Sequence, residues 1–313
     1  MRRTGSLLTP HSSLLTPHSP SMPTISPQIL QQVKRIELRT RGLVTSLLAG
    51  EYRSVFRGLG MEFAEVRAYQ HGDDFRAIDW NVSARLGTPY IKTFTEEREL
   101  TVLLIVDQSG SARFGMPRTK ADVGAEVAAV IALAAARQHD RVGALLFSDR
   151  VEQVVPPGKG RRHALRVVRD ILAFTPQGRG TDLAGAFTYA ARLLRHRAIV
   201  VVLSDFAAAG WERPLRRLAL RHEVVAVTID DPRERQLPDA GWIELEDQES
   251  GRRVLVDSGD PGVRGRMARS SELRREERAR ALRVAGVEQL VLATDRDYAR
   301  DLHRAFARRA RRR

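Results

Sequence analysis

An α/β fold, a mostly parallel sheet with helices on both faces, is predicted by three features of this sequence. Two continuous apolar runs of strand length, Leu100 to Asp107 and Ala198 to Leu203, each lead into a carboxylate, Asp107 and Asp205, as fully buried central strands do. A long alanine-rich helical stretch, about Lys120 to Gln138, follows the first run. From residue 99 onward, strand-like and helix-like segments alternate, which is the pattern of parallel strands joined by crossover helices.

Taken in order, residues 1–28 form a tail outside the fold. Residues 6–19 read SLLTPHS twice in tandem, and Pro10 and Pro17 interrupt any helix, strand or secretory apolar core. Met22 competes with Met1 as the start. Residues 29–99 read as an N-terminal helix plus a β-rich accessory segment. Ile29, Leu30, Val33, Ile36, Leu38, Leu43, Leu47 and Leu48 suit one or two amphipathic helices ending at Gly50, and residues 51–95 turn to short polar-apolar alternation with Gly58, Gly60, Gly72 and Gly87.

Residues 100–300 carry the main α/β domain. After the alanine-rich helix come strands at Arg141–Phe147 and Val151–Val155, helices near Arg161–Phe174 and Asp182–Arg195, and the second buried strand. A helix at about Arg213–Arg221 leads to a strand at Glu223–Ile229. Trp242–Leu245 and Arg253–Val256 flank a turn through Glu249, Ser250 and Gly251, a hairpin. A charged helix, about Gly262 to Ala285, and a last strand, Glu288–Ala293, precede a basic helix end at 301–313.

Composition closes several routes. The 313 residues contain no cysteine, which excludes disulfides, thiolate metal sites, iron–sulfur clusters and cysteine nucleophiles, and makes a cytoplasmic protein the expectation. The longest uncharged stretches, such as Val127–Ala136, are about half the roughly 20 residues of a membrane span. The net charge of +14 comes from 52 Lys+Arg, of which only Lys34, Lys92, Lys120 and Lys159 are lysines. Residues 260–313 hold 16 Arg and 8 acids, a net +8, so the excess is concentrated at the C-terminus. With no interleaved aromatics, that cluster reads as a solvated helix end rather than a nucleic-acid patch.

The chemistry gathers where ligands bind in open α/β sheets, beyond the carboxyl ends of the central strands. Asp107-Gln108-Ser109-Gly110-Ser111 follows the first buried strand, Gly178-Arg179-Gly180-Thr181-Asp182 precedes a helix, with Thr181 or Asp182 placed to cap it, and Ser204-Asp205 follows the second buried strand. Asp107, Asp205, Ser109, Ser111 and Thr181 offer only oxygen, the ligand set of a hard divalent cation, Mg²⁺ or Mn²⁺. Two acids roughly cancel the metal's charge, and neutral hydroxyls leave it able to take an Asp or Glu from a partner.

Asp107-x-Ser109-x-Ser111, with Thr181 and Asp205 on later loops, resembles the metal-ion-dependent adhesion site of von Willebrand factor type A domains. Gly60-Met61-Glu62-Phe63, Val66-Arg67, Gly72-Asp73-Asp74, Arg76-Ala77-Ile78-Asp79-Trp80 and Glu96-Glu97-Arg98-Glu99-Leu100 resemble the hallmark of the bacterial domain-of-unknown-function family 58. The resemblance implies that Ser109 and Ser111 contact the metal directly, Thr181 directly or through water, and Asp107 and Asp205 through water. It further implies a MoxR-type AAA+ ATPase as partner, in protein maturation or complex assembly. Family members often carry N-terminal membrane helices, which this sequence lacks.

Other readings are weaker. Gly158-Lys159-Gly160 lacks the upstream glycine and following hydroxyl of a phosphate loop. The eight histidines are scattered without zinc spacing. An aspartyl phosphotransferase needs a second acid two residues after its nucleophile, where this chain has Ser109. The expectation is therefore a non-enzymatic protein-binding module, with a metal-dependent phosphoester hydrolase at the same site as the alternative. Arg76, Asp79, Trp80 and Arg85 read as a buried ion pair and aromatic anchor joining the accessory segment to the sheet, in preference to a partner-docking surface.

Overall fold

The computed structural model describes residues 27–46, 66–70, 75, 78, 80–92 and 99–311. The tandem repeat, both candidate starts, and the hallmark residues 60–63, 72–74, 76–77, 79 and 96–98 lie outside the described residues.

A six-stranded sheet forms the centre. Its strands are β3 (Thr101–Asp107), β4 (Arg141–Phe147), β5 (Val151–Lys159), β6 (Ile199–Ser204), β7 (Glu223–Asp230) and β10 (Glu288–Ala293), in the order β10-β7-β6-β3-β4-β5. Every pairing is parallel except β4 with the edge strand β5, so the expected α/β class with a mostly parallel sheet is the observed one. Val102–Val106 and Ile199–Leu203 are at most 2% exposed, because side chains from both strands pack into apolar layers above and below the sheet. Val102, Leu104 and Val106 face one layer, and Leu103 and Ile105 the other, as the two-residue period of a strand requires.

The first layer holds α3 (Lys120–Arg137), α4 (Gly160–Ala173) and the start of α8 (Tyr298–Arg311). The second holds α5 (Leu183–Leu193), α6 (Glu212–Arg221) and the C-terminal end of α7 (Pro261–Val284). Helix α1 (Pro27–Ser46) lies over α3 and α4, and its Val33, Ile36, Thr40 and Val44, spaced at helical intervals, are buried there. That cover explains why α3 is apolar nearly all round. It is sandwiched between the sheet and α1, with Val127–Ala132 at most 3% exposed.

Helix α3 starts at a capping box, in which Thr119 accepts from Asp122 N and Asp122 accepts from Thr119 N at 2.9 Å. Thr119→Ala is expected to lower stability by about 1 kcal/mol, measured by urea denaturation.

Two further antiparallel pairs stand apart from the main sheet: β1 (Val66–Ala68) with β2 (Tyr90–Lys92), and β8 (Trp242–Glu246) with β9 (Arg253–Asp257). Between β1 and β2, in the segment expected to be β-rich, the chain forms a short helix, α2 (Trp80–Leu86). Trp80 is 69% exposed and Arg85 is exposed, so the buried anchor expected there is corrected; Arg76 and Asp79 lie outside the described residues. Among the described residues no helix is long and apolar enough to cross a membrane.

Candidate metal centre

The sheet's connections fix where a site can form. From β3 the chain crosses to β4 on one side, and later returns to β6 on the other side of β3, so a crevice opens between the carboxyl ends of β3 and β6. The parallel register pairs Val106 with Leu203, which sets the next residues, Asp107 and Ser204, side by side. Ser204 Oγ donates to Asp107 Oδ2 at 2.5 Å, and Asp107 Oδ1 accepts from Ser109 N at 2.9 Å. That second bond turns the chain sharply after the strand and brings Ser109 and Ser111 round, with their hydroxyls 3.1 Å apart.

The second loop is tied to the first by Gly110 N, which donates to the Arg179 carbonyl at 2.7 Å. Asp182 then caps α5, accepting from Gly185 N at 2.8 Å, which leaves the Thr181 hydroxyl for the site. The third loop follows Ser204. Asp205 Oδ1 accepts from Ala207 N at 3.0 Å, and Phe206 N donates to Ser204 Oγ at 3.0 Å. Phe206 takes a left-handed backbone conformation, φ 55°, costly for a bulky residue by about 1–3 kcal/mol. Its ring, edge-on to Trp211 with centroids 5.2 Å apart and buried in the second layer, holds the loop there.

The structure thus links three of the five predicted residues, Asp107, Ser109 and Ser111, by hydrogen bonds, and places Asp205 beside them as the neighbour of Ser204, which donates to Asp107. Thr181, the fifth, donates at 2.6 Å to Oε1 of Glu249, a residue of the β8–β9 turn.

Electrostatics separates the two acids. Burial, reinforced by repulsion from Asp205, pushes the Asp107 carboxyl up to about 6 despite its hydrogen bonds to Ser204 and Ser109. Asp205 is also buried, yet Lys120 outweighs that penalty and holds it below the usual carboxylate range. Lys120 Nζ lies 2.7 Å from Asp205 Oδ2 and 2.6 Å from Glu234 Oε1, and its side chain is only 3% exposed. Burial works against its charge, but Asp205 and then Glu234 more than offset it and raise its pKa above the ordinary lysine value. For Glu234, burial outweighs Lys120 and raises the carboxyl.

These donors fit a hard dication. They are all oxygen, two hydroxyls converge within 3.1 Å, and a buried acid is left without full charge compensation. Among the described residues no group of three or more histidines, aspartates and glutamates could hold a metal. A metal here would therefore depend on the hydroxyls of Ser109 and Ser111.

Comparison with known proteins places the chain. Residues 65–278 match the family model described as "Protein of unknown function DUF58". The chain belongs to the DUF58 family. An uncharacterized protein of Mycobacterium tuberculosis is 37% identical to this DUF58 protein over 289 residues, covering 91% of each chain. Among solved structures, the conserved hypothetical protein BatB from Bacteroides thetaiotaomicron is similar over 68% of this chain and 99% of its own, at 13% identity and a TM-score of 0.44. A von Willebrand factor type A protein from Catenulispora acidiphila is similar over 71% of this chain and 44% of its own, at 15% identity and a TM-score of 0.39.

Sequence reasoning missed several residues of the DUF58 site. Lys120, Glu234 and Glu249 reach it from distant segments. Ser204 belongs to it as well, since its hydroxyl donates to Asp107 Oδ2. Arg278 of α7 braces the third loop by donating to the Asp205 carbonyl at 2.6 Å, while its other amine pairs with Asp230 at 2.9 Å. One signal could have singled out Lys120: it is a lysine in a chain whose other cations are nearly all arginine.

Proposed function

We propose that this DUF58 chain is a non-enzymatic, divalent-metal-dependent protein–protein interaction module. It acts in the bacterial cytoplasm with a MoxR-type AAA+ ATPase, in protein maturation or complex assembly. The observation that carries the reading is the convergence of the Ser109 and Ser111 hydroxyls beside buried Asp107, at the strand ends where the topology opens a crevice. Ser109, Ser111 and Thr181 would hold Mg²⁺ or Mn²⁺, with Asp107 and Asp205 acting through water. The metal, when bound, supplies an electrophilic centre for an Asp or Glu of the ATPase or its client. The partner class rests on the resemblance of the hallmark residues, and metal binding on the site.

Calorimetric titration with Mg²⁺ and Mn²⁺ tests the site. Ser109→Ala is expected to weaken binding about 10-fold or more, given that even outer partners of metal ligands are worth that much. The purified MoxR-type ATPase of the same genome should bind the wild-type chain with Mg²⁺ and lose it with chelator. Binding indifferent to both would sink the reading.

The alternative, phosphoester hydrolysis, draws on Asp107, whose carboxyl at about 6 suits proton transfer near neutrality. Against it, both carboxylate oxygens of Asp107 are engaged, by Ser204 and by Ser109 N. Turnover of p-nitrophenyl phosphate with Mg²⁺ or Mn²⁺ that vanishes in Asp107→Ala would favour hydrolysis over the non-enzymatic reading.

A further inference from the structure

The β8–β9 hairpin makes no pairing with the main sheet, yet its tip sits on the metal centre. Its base is fastened. Fully buried Ser258 donates to the Gly241 carbonyl at 2.7 Å, and Arg264 donates to the carbonyls of Ser258 and Gly259 at 2.6 and 2.9 Å. The outer face of the ribbon is solvated, with Trp242 68% and Leu255 63% exposed.

The tip behaves differently. The Gln248 carbonyl packs so closely on Gly110, between the two metal-site serines, that a Cβ there would stand 2.2 Å from it. Asp247 Oδ1 accepts from the backbone N–H groups of Glu249 and Ser250 at 2.9 and 3.0 Å, which shapes the turn. Glu249 is half-buried while Asp247, Gln248 and Ser250 beside it are exposed, so the turn points this one acid inward. There it accepts the Thr181 hydroxyl. A crevice of about 750 Å³ runs beside the tip, lined by Ser111 and Asp205 of the loops and by Leu245–Glu249 of the hairpin.

Glu249 lines the same crevice as Ser111 and Asp205 and accepts the hydroxyl of the predicted site residue Thr181. Among the described residues it has no ion-pair partner, since Lys120 is committed to Asp205 and Glu234.

We propose that the hairpin tip is an internal occupant of the site: Glu249 stands where the carboxylate of a partner would, and the partner gains access by displacing the tip about its Ser258-pinned base. The proposal rests on the metal-dependent reading above and adds its regulation. The asymmetry of the attachments supports it. The base is held by several hydrogen bonds converging on Ser258 and Arg264, whereas the tip is held by one side-chain bond and a backbone contact.

Mn²⁺ is the probe, on the full chain. Wild type, Asp107→Ala, Glu249→Gln and Glu249→Ala are compared by Mn²⁺ titration, by water-proton relaxation of the bound ion and by hydrogen exchange of residues 247–252. Both Glu249 variants are expected to weaken Mn²⁺ binding about 10-fold through loss of one charged ligand. They should also raise the relaxivity of the bound ion as water fills the vacated position, and expose the turn amides to faster exchange. Glu249→Gln keeps the size of the side chain and an acceptor for Thr181, so its fold is retained. If wild type binds Mn²⁺, Asp107→Ala does not, and the Glu249 variants match wild type in affinity and relaxivity, the internal-occupant proposal is overturned while the metal site stands. If wild type fails to bind Mn²⁺, both fall together.

Discussion

Lys120→Met should destabilise the fold by about 3–5 kcal/mol at pH 7 in the presence of chelator, the typical cost of leaving a buried charge without its partner. The Lys120 side chain is 3% exposed and its ammonium lies 2.7 Å from Asp205, whose side chain is 7% exposed. Methionine fills the volume of the lysine stem, so the loss falls on electrostatics rather than packing. Glu234, at 36% exposure, turns to water once Lys120 is gone, and most of the penalty falls on Asp205. That carboxyl then loses its main counter-charge while Asp107 remains close by, so its pKa rises. Added Mg²⁺ should therefore raise the urea midpoint more in Lys120→Met than in wild type, because the ion replaces the missing positive charge. A loss under about 1 kcal/mol would mean that Asp205 relaxes to solvent and that Lys120 is not its essential counter-ion.

The same pair shows how far the sequence could be read. Two buried strands ending in acids announced Asp107 and Asp205, because an abrupt change from apolar to charged residues at a strand end is a local signal. Asp-x-Ser-x-Ser was legible for the same reason: its geometry is set by a hydrogen bond spanning two residues, Asp107 to Ser109. Lys120 was hidden because it binds across 85 residues to Asp205 and 114 to Glu234, at the first position of a helix where lysine usually faces water. Glu249 was hidden likewise, 68 residues from Thr181 on a turn that reads as an ordinary hairpin tip. Helix α1 gave its apolar spacing plainly. What no local pattern conveyed was its seat on α3, which instead appeared only as the unusual all-round apolarity of α3. Trp80 failed in the opposite direction, since its residue type argues for burial and the structure leaves it exposed.

Asp107→Asn carries the opposite sign from Lys120→Met: the variant should be more stable than wild type. The folded-state carboxyl sits at about 6 against 3.8 for the unconstrained side chain, so the folded chain binds the proton more tightly than the unfolded chain does. Wild type accordingly loses stability as pH rises from about 4 to about 6, reaching a deficit of about 3 kcal/mol at pH 7 for that difference. Asparagine removes the buried charge. It can still accept from Ser109 N, but its amide must donate toward Ser204, which at present donates to Asp107 and accepts from Phe206 N. Reversing that bond costs about 1 kcal/mol, which leaves a net gain of about 2 kcal/mol at pH 7. Melting temperatures measured in chelator from pH 4 to 8 should show the gain constant above about pH 6.5, zero near about pH 4.5, and replaced by a small loss near pH 4, where folded wild-type Asp107 is protonated and only the cost of the reversed bond remains. Mg²⁺ should then raise the melting temperature of wild type and leave Asp107→Asn unchanged. A residue chosen for the fold alone would not be an acid at this position. The stability that Asp107 costs is explained if the charge is kept for a cation, and a variant that is both more stable and blind to Mg²⁺ would establish that trade.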